Sequence, residues 1–335
     1  MNKKWISSLC LGILLISTCS FLDSAHAKNE NPDMLRKHMF ETMQNLTGIP
    51  WYYLAAMNQY EKNVARLAKN KPKQTGLISI QVPSYLWAGK ANPYLDDMKP
   101  ASIHFFSGMG KDANGDGLAN RQDDLDLLYS VSLYLLKQGT TETNIREQLW
   151  QYYQHPITVD IITHIAKIFL KYNRIDLDEY TFPIPRPYSY SYRDTWGAGR
   201  GWGGRRIHEG TDIFAGYGTP VLSTCYGYVE LMGWNRFGGW RIGIRDIHNN
   251  YHYFAHLAGF RKGLKQGDIV KPGERIGTVG STGYGPPGTA GKFPPHLHYG
   301  LYKFNGRNTY SIDPYPSLKK WERQTLKKKK GNQLK

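Results

Sequence analysis

Apolar positions along this chain change their period once. Between residues 31 and 172 they recur at helical steps. Tyr53, Met57, Tyr60, Val64 and Leu67 lie 4, 3, 4 and 3 residues apart and share one helical face. Ile161, Ile165, Ile168 and Tyr172 repeat that spacing. Residues 125–136 form another apolar helix, stopped by Gly139. Near residue 176 the texture shifts. Glycine becomes dense, and β-branched and aromatic residues alternate with polar ones. Segments 221–231, 240–247 and 251–257 read as short strands, with Asn249-Asn250 as a hairpin turn. The pattern predicts an α+β multidomain chain: a helical domain over 28–175 and a mainly β domain over 176–318.

Composition narrows the class. The chain has 335 residues, of which 40% are hydrophobic and 13% aromatic, enough to fill two cores. That excludes wholesale disorder and low-complexity fibres. Mean hydropathy is −0.54, and only the extreme N-terminus is long and apolar, which excludes a multi-span membrane protein. The net charge of +16 favours acidic partners.

The N-terminus decides which partners those are. Lys3 and Lys4, an apolar run over 9–16 and Ala25-His26-Ala27 form the three parts of a signal peptide over 1–27. The expected location is therefore exported and extracytoplasmic, with membrane attachment only through an uncleaved leader. Cys10 and Cys19 belong to the leader, leaving Cys225 as one inert thiol. The stretch 319–335 holds seven Lys, one Arg and one Glu. It reads as a basic disordered tail. Outside the membrane its counterions are anionic wall polymers rather than nucleic acid.

The strongest chemical signal is a set of histidines. His208 and Asp212 stand four apart across Gly210. His296 and His298 alternate along a strand-like run and so project from one face. His256 ends another strand-like run. Two neutral imidazoles and one carboxylate suit Zn2+ and leave a fourth position for water. Two further histidines can then handle protons and steady an oxyanion. Spacing alone does not say which histidines bind metal. His248 and His252 read as ordinary hydrogen-bonded residues, as do His26, His38, His104, His155 and His164.

Four segments carry a resemblance: Arg206 to Ile213, Gly218-Thr219-Pro220-Val221, Ala255-His256-Leu257 and His296-Leu297-His298. Together they resemble the lysostaphin/LytM family of zinc metallopeptidases, over about 182–314. The resemblance implies an antiparallel β-groove fold and endopeptidase action on peptidoglycan. It further implies His208, Asp212 and His298 as ligands of one zinc ion per chain. His256 and His296 become the catalytic pair beside the metal. Nearby, Gly199-x-Gly201-x-x-Gly204 matches a dinucleotide fingerprint only as a string, because no helix pattern follows it. Asp194, Arg205 and Arg206 flank this loop, either as carboxylate-orienting groups or as solvent-exposed charges.

The helical half carries weaker signals. Residues 49–61, ending in Glu61, resemble the acid-bearing helix of lysozyme-like lytic transglycosylases. Glu61 is then a candidate general acid for glycan cleavage. Lys62 departs from that family's pattern, which favours a non-catalytic, glycan-binding scaffold. Asp112, Asn114, Asp116 and Asp123 take positions one, three, five and twelve of a calcium-loop pattern, a candidate Ca2+ site or a plain turn. The order of parts resembles the L-Ala–D-Glu endopeptidases of sporulating bacilli, which implies stem-peptide cleavage in spore cortex. A non-hydrolytic wall-binding or hydrolase-activating module is the alternative.

Overall fold

The computed structural model describes residues 31–68, 76–201 and 205–333. The expected leader, 1–27, lies outside the described residues. The helical half comprises α1 (Pro32–Thr47), α2 (Trp51–Leu67), α3 (Ser84–Ala88), α4 (Pro100–Phe105), α5 (Asp124–Leu136), α6 (Glu142–Tyr153) and α7 (Pro156–Tyr172). Polar caps start α1, α5, α6 and α7. Asn31 accepts from Asp33 N ahead of α1, and Thr141 accepts from Asn144 N ahead of α6. Proline opens α1 and α7 where its missing N–H costs nothing. Phe40, Leu54, Met57, Leu128, Ile162, Ile165 and Phe169 close the core between them.

The second half runs β1 (Tyr190–Tyr192), β2 (Gly199–Arg200), β3 (Arg206–Ile207), β4 (Thr211–Ala215), β5 (Pro220–Leu222), β6 (Gly227–Asn235), β7 (Gly239–Asp246), β8 (Asn250–Phe260), β9 (Ile269–Val270), β10 (Arg275–Val279), β11 (His296–Phe304), β12 (Thr309–Ile312) and α8 (Tyr315–Gln333). The main sheet has the order β1-β4-β11-β8-β7-β6-β9, with β10 joining β5 to β8 and β12 beside β11. Its pairings are antiparallel. Ile213, Ile242, Ile244, Phe254, Leu297 and Tyr299 point to its buried side.

Two expectations need correction. Segment 221–231 is not one strand. It splits into β5 and β6 around Cys225, which bridges Tyr180, as the chain leaves β10 to pair with β7 and β9. The 319–335 tail is not disordered through its described length. It continues α8, because Leu318 and Trp321 fall on one face and bury against the sheet. The Trp321 ring stacks on Tyr180 at 5.0 Å and 7°.

The two halves share a packed boundary. Ile247 and Phe304 leave the sheet to join the helical core. Asn63 on α2 donates to the carbonyl of Ile247 at 2.8 Å and to Asn249 Oδ1 at 3.0 Å. Glu230 on β6 meets His164 of α7 at 2.9 Å while holding Arg245 through both carboxylate oxygens. Among the described residues, no helix is long and apolar enough to cross a membrane.

Candidate metal centre

Strand register builds the first half of the centre. His298 on β11 is the direct cross-strand partner of Asp212 on β4. Both side chains leave the face opposite the core, because Leu297, Tyr299 and Ile213 take the buried side. His208 arrives from the turn before β4. Its backbone N–H donates to Ala198, and its carbonyl accepts from Gly197 N. That ladder ties the turn to the loop preceding the β2–β3 hairpin.

The donors converge. Nε2 of His208 lies 2.9 Å from Nδ1 of His298, and Oδ1 of Asp212 lies 3.0 Å from each. A tetrahedral zinc site separates neighbouring ligands by about 3.3 Å. The triangle is therefore close to the shape the donor set needs. Among the described residues, these three are the one group of metal-ligating type that meets within 4.8 Å. His208 Nδ1 is 2.8 Å from the carbonyl of Thr195, so it carries the proton and leaves Nε2 as the donor. Burial alone would raise the Asp212 carboxyl, but hydrogen bonds from His208 and His298 hold it well below the usual carboxylate range. Burial pushes His298 down, toward the neutral form a ligand requires.

Gly210 makes room for this arrangement. A Cβ there would stand 2.6 Å from His298 Cε1, 2.7 Å from its Nε2 and 2.7 Å from the Tyr299 carbonyl. No other residue fits the cradle without moving a ligand.

His256 and His296 line the same cleft of about 340 Å³, with Tyr253, Tyr284, Phe293 and Tyr302 among its walls. His296 reaches it by strand alternation. His256 does not, for on β8 the neighbouring even-numbered residues His252 and Phe254 are buried in the core. A β-bulge re-aims it. The register with β7 slips between Trp240↔Leu257 and Ile242↔Phe254, and His256 takes φ +61°. Its Nδ1 donates to the Thr282 carbonyl at 2.7 Å, and that of His296 to the Pro294 carbonyl at 2.8 Å. Each neutral ring is therefore left with a basic Nε2. Burial, then the neighbouring His298 and His296, push His256 down to about 3. Burial likewise lowers His296.

The comparisons follow this geometry. Residues 206–314 match the model of Peptidase family M23. Over 322 residues, 96% of this chain and 99% of the relative, the sequence is 57% identical to the L-Ala--D-Glu endopeptidase of Bacillus subtilis (strain 168). The chain belongs to peptidase family M23. Lysostaphin of Staphylococcus simulans is 37% identical over 117 residues, 34% of this chain and 22% of that protein. Its catalytic domain as a solved structure aligns at 32% identity over 39% of this chain and 92% of that one, with a TM-score of 0.32.

As an M23 metallopeptidase the chain also shows what its motifs alone did not. Arg200 of the β2–β3 hairpin donates to Oδ2 of Asp212, the oxygen facing away from the histidines. It sits in the string that mimics a dinucleotide fingerprint, whose first two residues, Gly199 and Arg200, form β2 and pair with β3. His252 is buried among Thr224, Tyr299 and Asp246, a core residue as expected.

The calcium reading finds no support. Asp123 caps α5 by accepting from Leu125 N and Asp126 N. Asp112, Asn114 and Asp116 close turns onto Gly115, Gly117, Asp116 and Leu118 backbone N–H groups. The carboxylate that reaches into this loop is that of Asp126, holding Ala113 N and Asn120 N. These oxygens close turns onto backbone donors, as the plain-turn reading expects. Glu61 stands on α2 and does not line the metal cleft. Burial raises it to about 7, partly offset by the nearby Tyr153 hydroxyl.

Proposed function

We propose that this M23 peptidase is an exported zinc endopeptidase that hydrolyses peptidoglycan stem peptides between L-Ala and D-Glu. The convergence of His208, Asp212 and His298 beside a histidine pair, all in one cleft, is the observation that carries it. The near full-length similarity to an L-Ala--D-Glu endopeptidase supports the choice of bond. His208 Nε2, Asp212 Oδ1 and His298 Nδ1 would hold the metal. Bound there, zinc supplies Lewis acidity and a water of pKa near 7.

The remaining chemistry falls to the chain's own groups. Nε2 of one neutral histidine takes the proton of the attacking water and returns it to the departing amine. The other, its Nδ1 held by a backbone carbonyl, steadies the carbonyl oxygen as negative charge develops there once its own Nε2 carries a proton to donate. Arg200 fixes the Asp212 carboxylate in orientation. The basic charge of the chain, +16 overall, concentrates the enzyme on an anionic wall. The helical half serves as scaffold for that wall, in spore cortex or maturing cell wall.

The test is digestion of purified cortex and vegetative peptidoglycan, with mass analysis of new amino termini. New N-terminal D-Glu, absent with His298→Ala, supports the reading. Peptide cleavage elsewhere contradicts the bond, and no peptide product favours a non-hydrolytic binding module.

A further inference from the structure

We propose that a cavity between α5, α6 and α7 binds N-acetylated sugars of the wall glycan. The cavity measures about 750 Å³, against about 340 Å³ for the metal cleft, and shares no residue with it. That volume falls within the range of about 300–1,000 Å³ common to small-ligand sites. Gln148 of α6 distinguishes it from a surface dent. Only 5% of this residue is exposed, it lines the cavity, and its side-chain amide hydrogen-bonds to none of the described residues. A buried amide without a partner costs free energy, so one at a cavity wall is a donor and acceptor that a ligand can satisfy. Trp150, two residues on, lines the same cavity and is 42% exposed. No other ring packs on it among the described residues, so its indole is open to a ligand beside Gln148.

The lining charges decide the ligand class. Lys137 and Arg146 are balanced by Glu147 and Asp160, so the cavity is neutral in a chain of net charge +16. Arg146 is tied to Asp160 at 2.7 Å and to Thr163 at 2.9 Å. An anionic polymer therefore gains nothing here over the rest of this basic surface. Amides dominate what remains of the polar lining, for Gln138 and Gln151 join Gln148. Each amide offers both donors and an acceptor. That complements a sugar whose hydroxyl and acetamido groups also do both. An open indole face suits the weakly positive C–H face of a pyranose ring, because the aromatic quadrupole is negative there. Wall glycan is a polymer of such N-acetylated sugars, and a cavity that holds it tethers the enzyme to the strand whose peptides it cuts. The proposal rests on the reading above only in taking peptidoglycan as the target, and depends neither on the bond nor on zinc. Glu61 does not line the cavity, so the site is separate from the candidate glycan acid.

The experiment titrates the full chain calorimetrically with tetra-N-acetylchitotetraose and with cellotetraose, which has the same linked rings without acetamido groups. Wild type is expected to bind the N-acetylated oligomer at least about tenfold more tightly, the scale of one well-placed hydrogen bond. Gln148→Leu should weaken that binding about tenfold or more while keeping or raising the urea midpoint, because it removes an unpartnered amide from a buried position. Trp150→Ala should weaken it by about the same factor. Chelated and zinc-loaded protein should bind alike. No binding of the N-acetylated oligomer overturns the proposal, and equal binding of the two oligomers overturns the ligand class. Unchanged affinity in either folded variant, or loss of binding on chelation, overturns the site. If Gln148→Leu does not fold, Trp150→Ala decides: affinity lost supports the proposal, and affinity kept overturns it. Digestion that shows a bond other than L-Ala–D-Glu corrects the reading above and leaves this one standing.

Discussion

Nε2 of His208 and Nδ1 of His298 face each other at 2.9 Å across 90 residues of sequence. Two imidazole nitrogens brought this close, each also 3.0 Å from one Asp212 oxygen, form a site made for a cation. His208→Ala and His298→Ala should each abolish bound zinc and peptide hydrolysis together. Metal analysis of the purified proteins reads this directly.

Gly210 gives a subtler test of the same centre. Gly210→Ala places a methyl group against His298 and the Tyr299 carbonyl, and the backbone cannot yield. Zinc affinity should fall at least about tenfold, the scale seen when ligand support is disturbed. Competition with a chromophoric chelator measures it. Unchanged affinity would mean that the turn before β4 is softer than its hydrogen bonds suggest.

The histidines of this half should separate into three classes. His256→Ala should retain zinc yet lose hydrolysis by about 10²–10⁴-fold, as expected for a member of the catalytic pair. His298→Ala should lose both. His252→Ala should retain zinc and lose about 2–4 kcal/mol of stability, because it opens a cavity and removes the partner that buried Asp246, Thr224 and Tyr299 share. Zinc content, turnover and denaturant midpoints on one set of preparations sort them.

Glu61 predicts a pH dependence of stability. The folded carboxyl titrates at about 7, whereas its ordinary value is 4.5. Between these values the folded protein keeps a proton that the unfolded chain has released. The stabilisation is complete below about pH 4.5 and fades as pH rises to 7. Glu61→Gln should remove this slope and raise stability above pH 7 by about 2–3 kcal/mol. Denaturation of both proteins across pH 4.5–8 checks it. Anhydro-sugar products that vanish in Glu61→Gln would instead place glycan cleavage at this residue.

The C-terminal helix should matter for folding despite its charge. Trp321 packs on Tyr180 and His252, and Leu318 is wholly buried. Trp321→Ala should cost about 3–5 kcal/mol. A midpoint unchanged in urea would show that α8 only rests on the sheet.

These features differ in how visible they were beforehand. The helical face of Tyr53, Met57 and Tyr60 was legible because periodicity reports burial directly. The meeting of His208, Asp212 and His298 was legible through the family resemblance of the four segments that carry them, since spacing alone left the choice of histidines open. The cleft position of His256 was not, since strand alternation predicts the core and only the bulge reverses it. Arg200 was hidden because its partner comes from register rather than from its own neighbourhood. Helix α8 was masked by the lysine run, whose charge outweighed two buried apolar residues in the pattern. In the calcium-like loop, a string match could not show that the carboxylates would close turns onto backbone N–H groups.

One measurement tests the central claim most directly. Chelated protein is titrated with zinc while hydrolysis of a defined L-Ala–D-Glu stem peptide is followed by mass spectrometry. The account predicts no cleavage without metal, a rise to full rate at one equivalent of zinc per chain, and new N-terminal D-Glu as the product. Cleavage that survives chelation, or that needs a second equivalent, would contradict it.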